Sequence, residues 1–342
     1  MNTVVTFGEI MLRLKSPGAG RLLQEPLLES TFGGGEANVA VSLAQFGVPA
    51  SFVSAVPENS LGEAVVGTLR RYGVDTTHIS YRSGRLGIYF LEGGAAQRPS
   101  TVLYDRENSA FSQVHPGDFD WLSIFSAGLW FHTSGITPAL SPSAAETVLE
   151  AVLAAKHAGI PVSIDLNYRK KLWNYGKTAP EVMRSLVAHA DVLIANEEDI
   201  QKCLGISNSE EDSHTVDLDG YRRLTDKVLE SFPGLSHVAV TLREAVSADT
   251  NFWSAVLATK NTFLISQKYA ITDIVDRVGA GDSFSAGLIY GMLKNPNDEK
   301  YALEFATAAS CLKHSISGDF NLSKKEEVEA LLGGNASGRI QR

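Results

Sequence analysis

Val278-Gly279-Ala280-Gly281-Asp282-Ser283-Phe284-Ser285-Ala286-Gly287 is the stretch on which the reading of this chain turns. It follows an extended-looking run over residues 269–275, and bulky residues at Phe284, Leu288 and Met292 then recur at helical spacing. Glycines therefore stand where a helix opens. The first N–H groups of a helix lack intrahelical partners, the macrodipole is positive there, and missing side chains let an anion reach the backbone. Such a turn holds a phosphate or a developing negative charge. Asp282, read as the last residue of the turn, would repel a guest that was merely bound. A carboxylate is useful in that place if it takes a proton from a hydroxyl that then attacks phosphorus. The competing reading is a glycine-rich turn with Asp282 as helix N-cap.

Working outward, Gly33-Gly34-Gly35-Glu36-Ala37-Asn38 leads into Val39, Leu43 and Phe46, a second set of glycines opening an amphipathic helix, with Glu36 read as a helix-N-terminal acid. Residues 3–7 and 50–56 read as strands and residues 61–72 as a helix. The alternation resumes with strands at 128–132, 161–165 and 191–194 and helices between them. Helix follows strand at right-handed crossover lengths, which predicts an α/β fold: an open, mostly parallel sheet sandwiched by helices. Residues 12–32 are too broken by Pro17, Gly18, Gly20 and Pro26 for a helix. Residues 86–110 contain two β-like runs flanking a Gly/Ala loop, in the manner of a hairpin. Both are assigned to a small β-sheet lid. Three runs at 237–242, 253–257 and 262–265 predict antiparallel strands at one edge. The acidic residues 209–219 read as a solvated loop, and residues 333–342 as a frayed tail behind a single domain spanning 1–332.

The 342 residues, 44% of them hydrophobic, suffice for a packed core without disulfide or metal staples. A net charge of −9 argues against nucleic acid or an anionic membrane as partner. Cys203 and Cys311 lack metal-ligand spacing and read as reduced thiols. With no basic leader and no run of membrane-spanning length, the expected location is the cytoplasm. The histidines form no metal-binding pattern, and His132 reads as a satisfied strand-end residue. There is no G-x-x-x-x-G-K-[ST] phosphate loop. The dinucleotide fingerprint is half met by Gly33-x-Gly35-x-x-Asn38, with Glu58 where a ribose-binding acid would lie.

Gly33-Gly34 followed by Asn38, together with Asp276-Arg277-Val278-Gly279-Ala280-Gly281-Asp282, resembles the two signatures of the ribokinase-like (PfkB-type) carbohydrate kinases, in the right order and over nearly the whole chain. The resemblance implies a central sheet sandwiched by helices, a β-lid over the sugar, and transfer of the γ-phosphoryl group of ATP, with magnesium, to a primary hydroxyl. It makes Asp282 the base and the amides of Gly279, Ala280 and Gly281 the anion hole. Several segments resemble 2-keto-3-deoxygluconate kinases: Tyr89, Tyr104-x-Arg106, Asp165-Leu166-Asn167-Tyr168-Arg169 and Gly318-Asp319. Gly33, Gly34, Asn38, Tyr89, Tyr104, Arg106, Asn167, Arg169, Asp282 and Asp319 are then expected at the sugar acid. An arginine fork grips a carboxylate as a neutral hexose would not require.

Two places depart from the family. The magnesium-associated N-x-x-E pattern appears as Asn196-Glu197-Glu198-Asp199, which leaves Glu197 or Glu198, the latter through water, to serve the metal. The nucleotide loop, here residues 241–247, has no glycine. Asn196, Thr241, Arg243, Ala245, Gly279 and Gly281 are the residues expected at ATP. The resulting expectation is a sugar-acid kinase that phosphorylates the terminal C6 hydroxyl of 2-keto-3-deoxygluconate. Its partners would be small molecules and, through an exposed face of the lid, a second copy of the chain. The alternatives are a fructokinase or other hexose kinase, a non-catalytic sugar or nucleotide binder, and a dinucleotide oxidoreductase.

Overall fold

The computed structural model describes residues 2–207 and 217–334. The chain opens on β1 (Thr3–Phe7), leaves the main body for β2 (Met11–Lys15) and β3 (Glu29–Gly33), and returns through α1 (Gly35–Gln45) to β4 (Ala50–Pro57), α2 (Ser60–Arg71) and β5 (Ile79–Arg82). A second excursion makes β6 (Ile88–Glu92) and β7 (Thr101–Asp105). Then come α3 (Trp121–Phe125), β8 (Gly128–Ser134), α4 (Pro142–His157), β9 (Val162–Asp165), α5 (Ala179–Val187), β10 (Val192–Ala195), α6 (Glu197–Leu204), α7 (Leu218–Ser231) and β11 (His237–Ala245). The strands β12 (Asn251–Ala258), β13 (Phe263–Ile265) and β14 (Tyr269–Ile271) precede α8 (Ala280–Lys294), α9 (Glu299–Lys313) and α10 (Lys325–Leu332).

The main sheet has the order β13-β12-β11-β10-β9-β8-β1-β4-β5, with β14 beside β12. It is parallel from β5 to β11 and antiparallel beyond, as the closely spaced runs predict. The strands β4, β8, β9 and β10 are buried along nearly their whole length because both faces are covered. Two hydrophobic cores do the covering: α3 to α7 pack on one face, and α1, α2, α8, α9 and α10 on the other. The ordinary Asn59, Ser141 and Asp298 side-chain caps begin α2, α4 and α9. Those that begin α1 and α8 are glycines, so the two helix ends nearest the site stay open.

The excursions form a separate sheet in the order β3-β2-β6-β7, antiparallel except for β2 against β6. Its inner face carries Met11, Tyr89, Leu91, Val102 and Tyr104. Because α1 follows a strand of this small sheet and not one of the main sheet, the dinucleotide fingerprint has the wrong context and that reading falls. Three further expectations change. The extended run before the glycine–aspartate turn is strand only over Tyr269–Ile271. Of the acidic run, residues 209–216 lie outside the described residues, and Leu218 and Asp219 begin α7. Of the tail, residues 335–342 lie outside the described residues, and Gly333 is the C-cap of α10.

Candidate functional site

The carboxyl ends of β9, β10 and β11 and the inner face of the small sheet enclose a cavity of about 790 Å³, the position in which open α/β sheets hold ligands. The openings of α1 and α8 face into it. Gly279 is the N-cap of α8 with φ of +83°, so Ala280, Gly281 and Asp282 are the first three helical residues. Asp282 therefore lies inside the first turn and is neither the end of a preceding loop nor the N-cap. The first α-helical bond, Ser283 N to Gly279 O at 2.9 Å, comes after it. The Ala280 amide leans on the Arg277 carbonyl at 3.3 Å, which leaves Gly279 and Gly281 as the better-placed donors for an anion.

The two glycine motifs meet on Asp319. A Cβ on Gly33 would stand 2.0 Å from Asp319 Oδ2, and one on Gly279 would stand 2.0 Å from the Asp319 carbonyl oxygen. Gly279 also needs its left-handed backbone. Gly33 thus does not line the cavity but lets Asp319 do so, while Gly34 and Asn38 reach the lumen. Asn38 Nδ2 donates to Asp282 Oδ2 at 2.6 Å, joining α1 to α8 through the two motif residues. Burial raises the Asp282 carboxyl to about 7, against the pull of the Asn38 hydrogen bond.

At the small-sheet end the charges are paired. Arg13, fully buried on β2, donates Nη1 to Asp319 Oδ1 at 2.6 Å and Nη2 to Asp276 Oδ2. Tyr89 donates its hydroxyl to Asp319 at 2.6 Å. Burial opposes the Arg13 charge, but Asp319 and Asp276 outweigh it and the guanidinium stays protonated. Arg106 is no surface-loop residue: its Nε donates to Glu9 Oε2 at 2.8 Å, and its Nη2 meets the same oxygen. Ser109 Oγ donates to the other Glu9 oxygen. The fork of Arg106 is therefore partly spent, and its remaining N–H groups stand beside Tyr104, whose ring centre is 5.6 Å from the guanidinium carbon. Glu9 and Arg13 are residues that sequence reasoning missed, and Asp276 stood in the quoted signature without a role of its own.

Under the strand ends the charges are not matched. Asp165 is raised well above the usual carboxylate range by burial, then by Asp199 and Asp282, with Arg169 opposing. Asp199, which closes the Asn196-Glu197-Glu198-Asp199 segment, rises to about 6, also through burial. Arg169 is half-buried, and its Nη1 donates to the Tyr168 carbonyl at 2.9 Å. Arg106 and Arg169 share the cavity but answer different acids. Asn167 lines the cavity from a left-handed backbone position, φ +37°.

Asn196 spends its side chain as the cap of α6, Oδ1 accepting from Asp199 N at 2.8 Å. Glu197 accepts from Tyr221 at 3.1 Å, and Glu198 lies at the rim of the cavity. Among the described residues no three metal-ligating side chains converge. Buried Asp165 and Asp199 are nonetheless the oxygen donors a hard cation takes, and a magnesium ion takes most of its other ligands from phosphate and water. Thr241 and Arg243 line the cavity; Ala245 does not. The expected loop is a continuation of β11, paired with β12 as far as Ala245 with Asn251, so Ala245 ends that ladder. Arg277 also lines the cavity, and burial followed by the like charge of Arg243 lowers its pKa.

Two expected bystanders behave as follows. His132 is buried, bonded to Ser163 Oγ at 2.8 Å, and burial pulls its pKa to about 3. Glu36 is more than a first-turn acid: it is buried and accepts from Ser134 N, Ser134 Oγ and Thr137 Oγ1 at 3.0, 2.8 and 2.9 Å, bracing α1 against the end of β8. No helix among the described residues is long and apolar enough to cross a membrane.

The sequence pattern of the pfkB family carbohydrate kinases is matched by residues 1–325. A 2-dehydro-3-deoxygalactonokinase of Haloferax volcanii is 33% identical, over 98% of this chain and 98% of its own. A 2-dehydro-3-deoxygluconokinase of Thermoproteus tenax is 30% identical, over 97% of this chain and 94% of its own. The crystal structure of a 2-dehydro-3-deoxygluconokinase of Thermotoga maritima superposes with a TM-score of 0.91 at 47% identity, covering 98% of this chain and 100% of that one.

Proposed function

The chain belongs to the pfkB family of carbohydrate kinases, and we propose that it transfers the γ-phosphoryl group of ATP to the terminal C6 hydroxyl of 2-keto-3-deoxygluconate, the 2-dehydro-3-deoxygluconate of its relatives. The observation that carries the proposal is the buried Asp282 carboxylate, pushed up to about 7 beside the open end of α8. A base with that pKa accepts a proton at neutral pH without being wholly protonated beforehand.

In this reading Asn38 orients Asp282, Asp282 takes the hydroxyl proton, and the Gly279 and Gly281 amides stabilise the charge on the phosphoryl oxygens in transit. Arg243 and Arg277 balance the nucleotide phosphates, with Thr241 and Asn196 at the same end. A magnesium ion, held by phosphate and water with Asp165, Asp199 or, through water, Glu198 behind it, would supply further neutralisation of that charge. Arg169 and the free edge of Arg106 meet the substrate carboxylate, and Tyr89, Tyr104, Asn167 and Asp319 border the sugar. Support for an acid in preference to a neutral sugar comes from these arginines and from the sugar-acid kinase activities of the relatives.

A homodimer through the outer face of the small sheet belongs to the same proposal. Leu12, Leu14, Phe32, Ile88 and Phe90 are only partly buried there and Leu103 is 54% exposed. A screen of ATP consumption across sugars and sugar acids tests the substrate. The expected outcome is kcat/KM for 2-keto-3-deoxygluconate on the order of 10²-fold above fructose, because each hydrogen bond to the missing carboxylate contributes about 1.5 to 3 kcal/mol. Equal values for the two would sink the substrate assignment and leave the kinase standing.

A further inference from the structure

The end of α9 is the platform on which the glycine–aspartate turn is seated. The Val275 and Asp276 amides both donate to the His314 carbonyl, at 2.9 and 3.2 Å. Ser310 Oγ donates to the Ala280 carbonyl at 2.7 Å. Between them Lys313 Nζ donates to the Ile316 carbonyl at 3.0 Å and reaches the Asp276 carbonyl at 3.4 Å. Lys313 has no exposed surface, 0%, and does not line the cavity.

A buried ammonium is costly, and the Lys313 ammonium donates to carbonyl oxygens. Its charge is supported by Asp276 in the turn, Asp319 after α9 and Asp282 on α8, and opposed by Arg13 on β2. Burial lowers its pKa only to about 8, so it remains mostly protonated at neutral pH. The two carbonyls it holds belong to different segments. Asp276 starts the turn that carries Gly279 to Asp282, and Ile316 precedes the segment that brings Asp319 against Gly279. One nitrogen therefore ties the start of the turn to the segment that leads to Asp319, the residue against which Gly279 fits.

We propose that Lys313 is a positioning residue for phosphoryl transfer, its ammonium fixing the turn that presents the Gly279 and Gly281 amides and the Asp282 carboxylate, without touching a substrate. The inference rests on the reading of Asp282 and this turn as the transfer site. It predicts an effect on the chemical step more than on sugar binding, since displacement of about 1 Å at a reacting centre can cost on the order of 10²-fold in rate.

The test is Lys313→Met in the full chain, followed both as transfer to 2-keto-3-deoxygluconate and as slow ATP hydrolysis to water. Wild-type transfer to the acid tests the substrate reading by itself; the hydrolysis arm tests the turn even where the acid is not the acceptor. The expected result is a fall of about 10- to 100-fold in kcat with KM for the acid unchanged, and partial recovery in ammonium chloride but not in tetramethylammonium chloride of equal strength. A folded variant that keeps kcat within about twofold of wild type, or that loses it without any response to ammonium, overturns the proposal. If Lys313→Met does not fold, Ser310→Ala carries the test by removing only the bond to the Ala280 carbonyl. A kcat lowered about 2- to 10-fold at constant KM then supports the platform, and an unchanged kcat overturns it.

Discussion

The two ends of the cavity treat charge in opposite ways. At the small-sheet end Arg13 is gripped by Asp276 and Asp319, and Arg106 by Glu9, all nearly without solvent. At the other end Asp282, Asp165 and Asp199 have raised pKa values that the charge of Arg169 only partly offsets, and Arg243 opposes the charge of Arg277. Matched buried charges hold a fold in one arrangement, and removing one partner leaves the other stranded. Unmatched ones cost stability in the free protein and recover it when a ligand of the complementary charge arrives. The comparison assigns construction to the first end and chemistry to the second.

The largest effect expected from breaking the matched end is on stability. Arg106→Leu strands the Glu9 carboxylate, 3% exposed, and should destabilise the fold by about 3 to 5 kcal/mol, read by urea denaturation. If the loss is below about 1 kcal/mol, the pair is not construction and the contrast between the ends fails.

The unmatched end should respond with the other sign. The folded pKa of Asp282 is raised from 3.8 to about 7, so ionisation is disfavoured in the folded state. That cost is absent below the unfolded value, grows as pH rises, and is complete above the folded one. Asp282→Asn removes it, and should stabilise the protein by at most about 4 kcal/mol at pH above about 7, with no gain at pH near 4. Melting temperatures of the two proteins that stay parallel across this range would contradict the assigned burial cost.

A smaller and sharper contrast uses the second arginine. Arg169 is half-buried and bonded to one carbonyl, so Arg169→Leu should leave the melting temperature within a few degrees of wild type while lowering kcat/KM for the sugar acid on the order of 10²-fold. Residual activity on fructose should change much less. Equal losses on both substrates would move Arg169 from the carboxylate to the general scaffold.

What was legible in the sequence follows the range of the interactions. The parallel sheet was readable because strands covered on both faces are rich in apolar residues, and β4, β8, β9 and β10 are each followed by a helix. The turn at Gly279 to Asp282 and the run at Gly33 to Asn38 were readable because their chemistry is local: open helix ends need glycine. Asn38 and Asp282 then meet across 244 positions because α1 and α8 pack together. Glu9 and Arg13 carried no local sign, since their partners are tertiary; Arg13 finds Asp319 from 306 residues away. Ala245 was misplaced because the pairing of β11 with β12 continues past the point where a loop was expected. Arg106 was correctly brought to the cavity, yet its pairing with Glu9 was invisible 97 residues upstream.

The central claim is that Asp282 removes the proton in the transfer step, and it is tested most directly by Asp282→Asn at saturating ATP and 2-keto-3-deoxygluconate, alongside calorimetric binding of each. The account predicts kcat lower by roughly 10²- to 10⁴-fold, with both dissociation constants within about threefold of wild type. A variant that keeps more than about a tenth of wild-type kcat would contradict it.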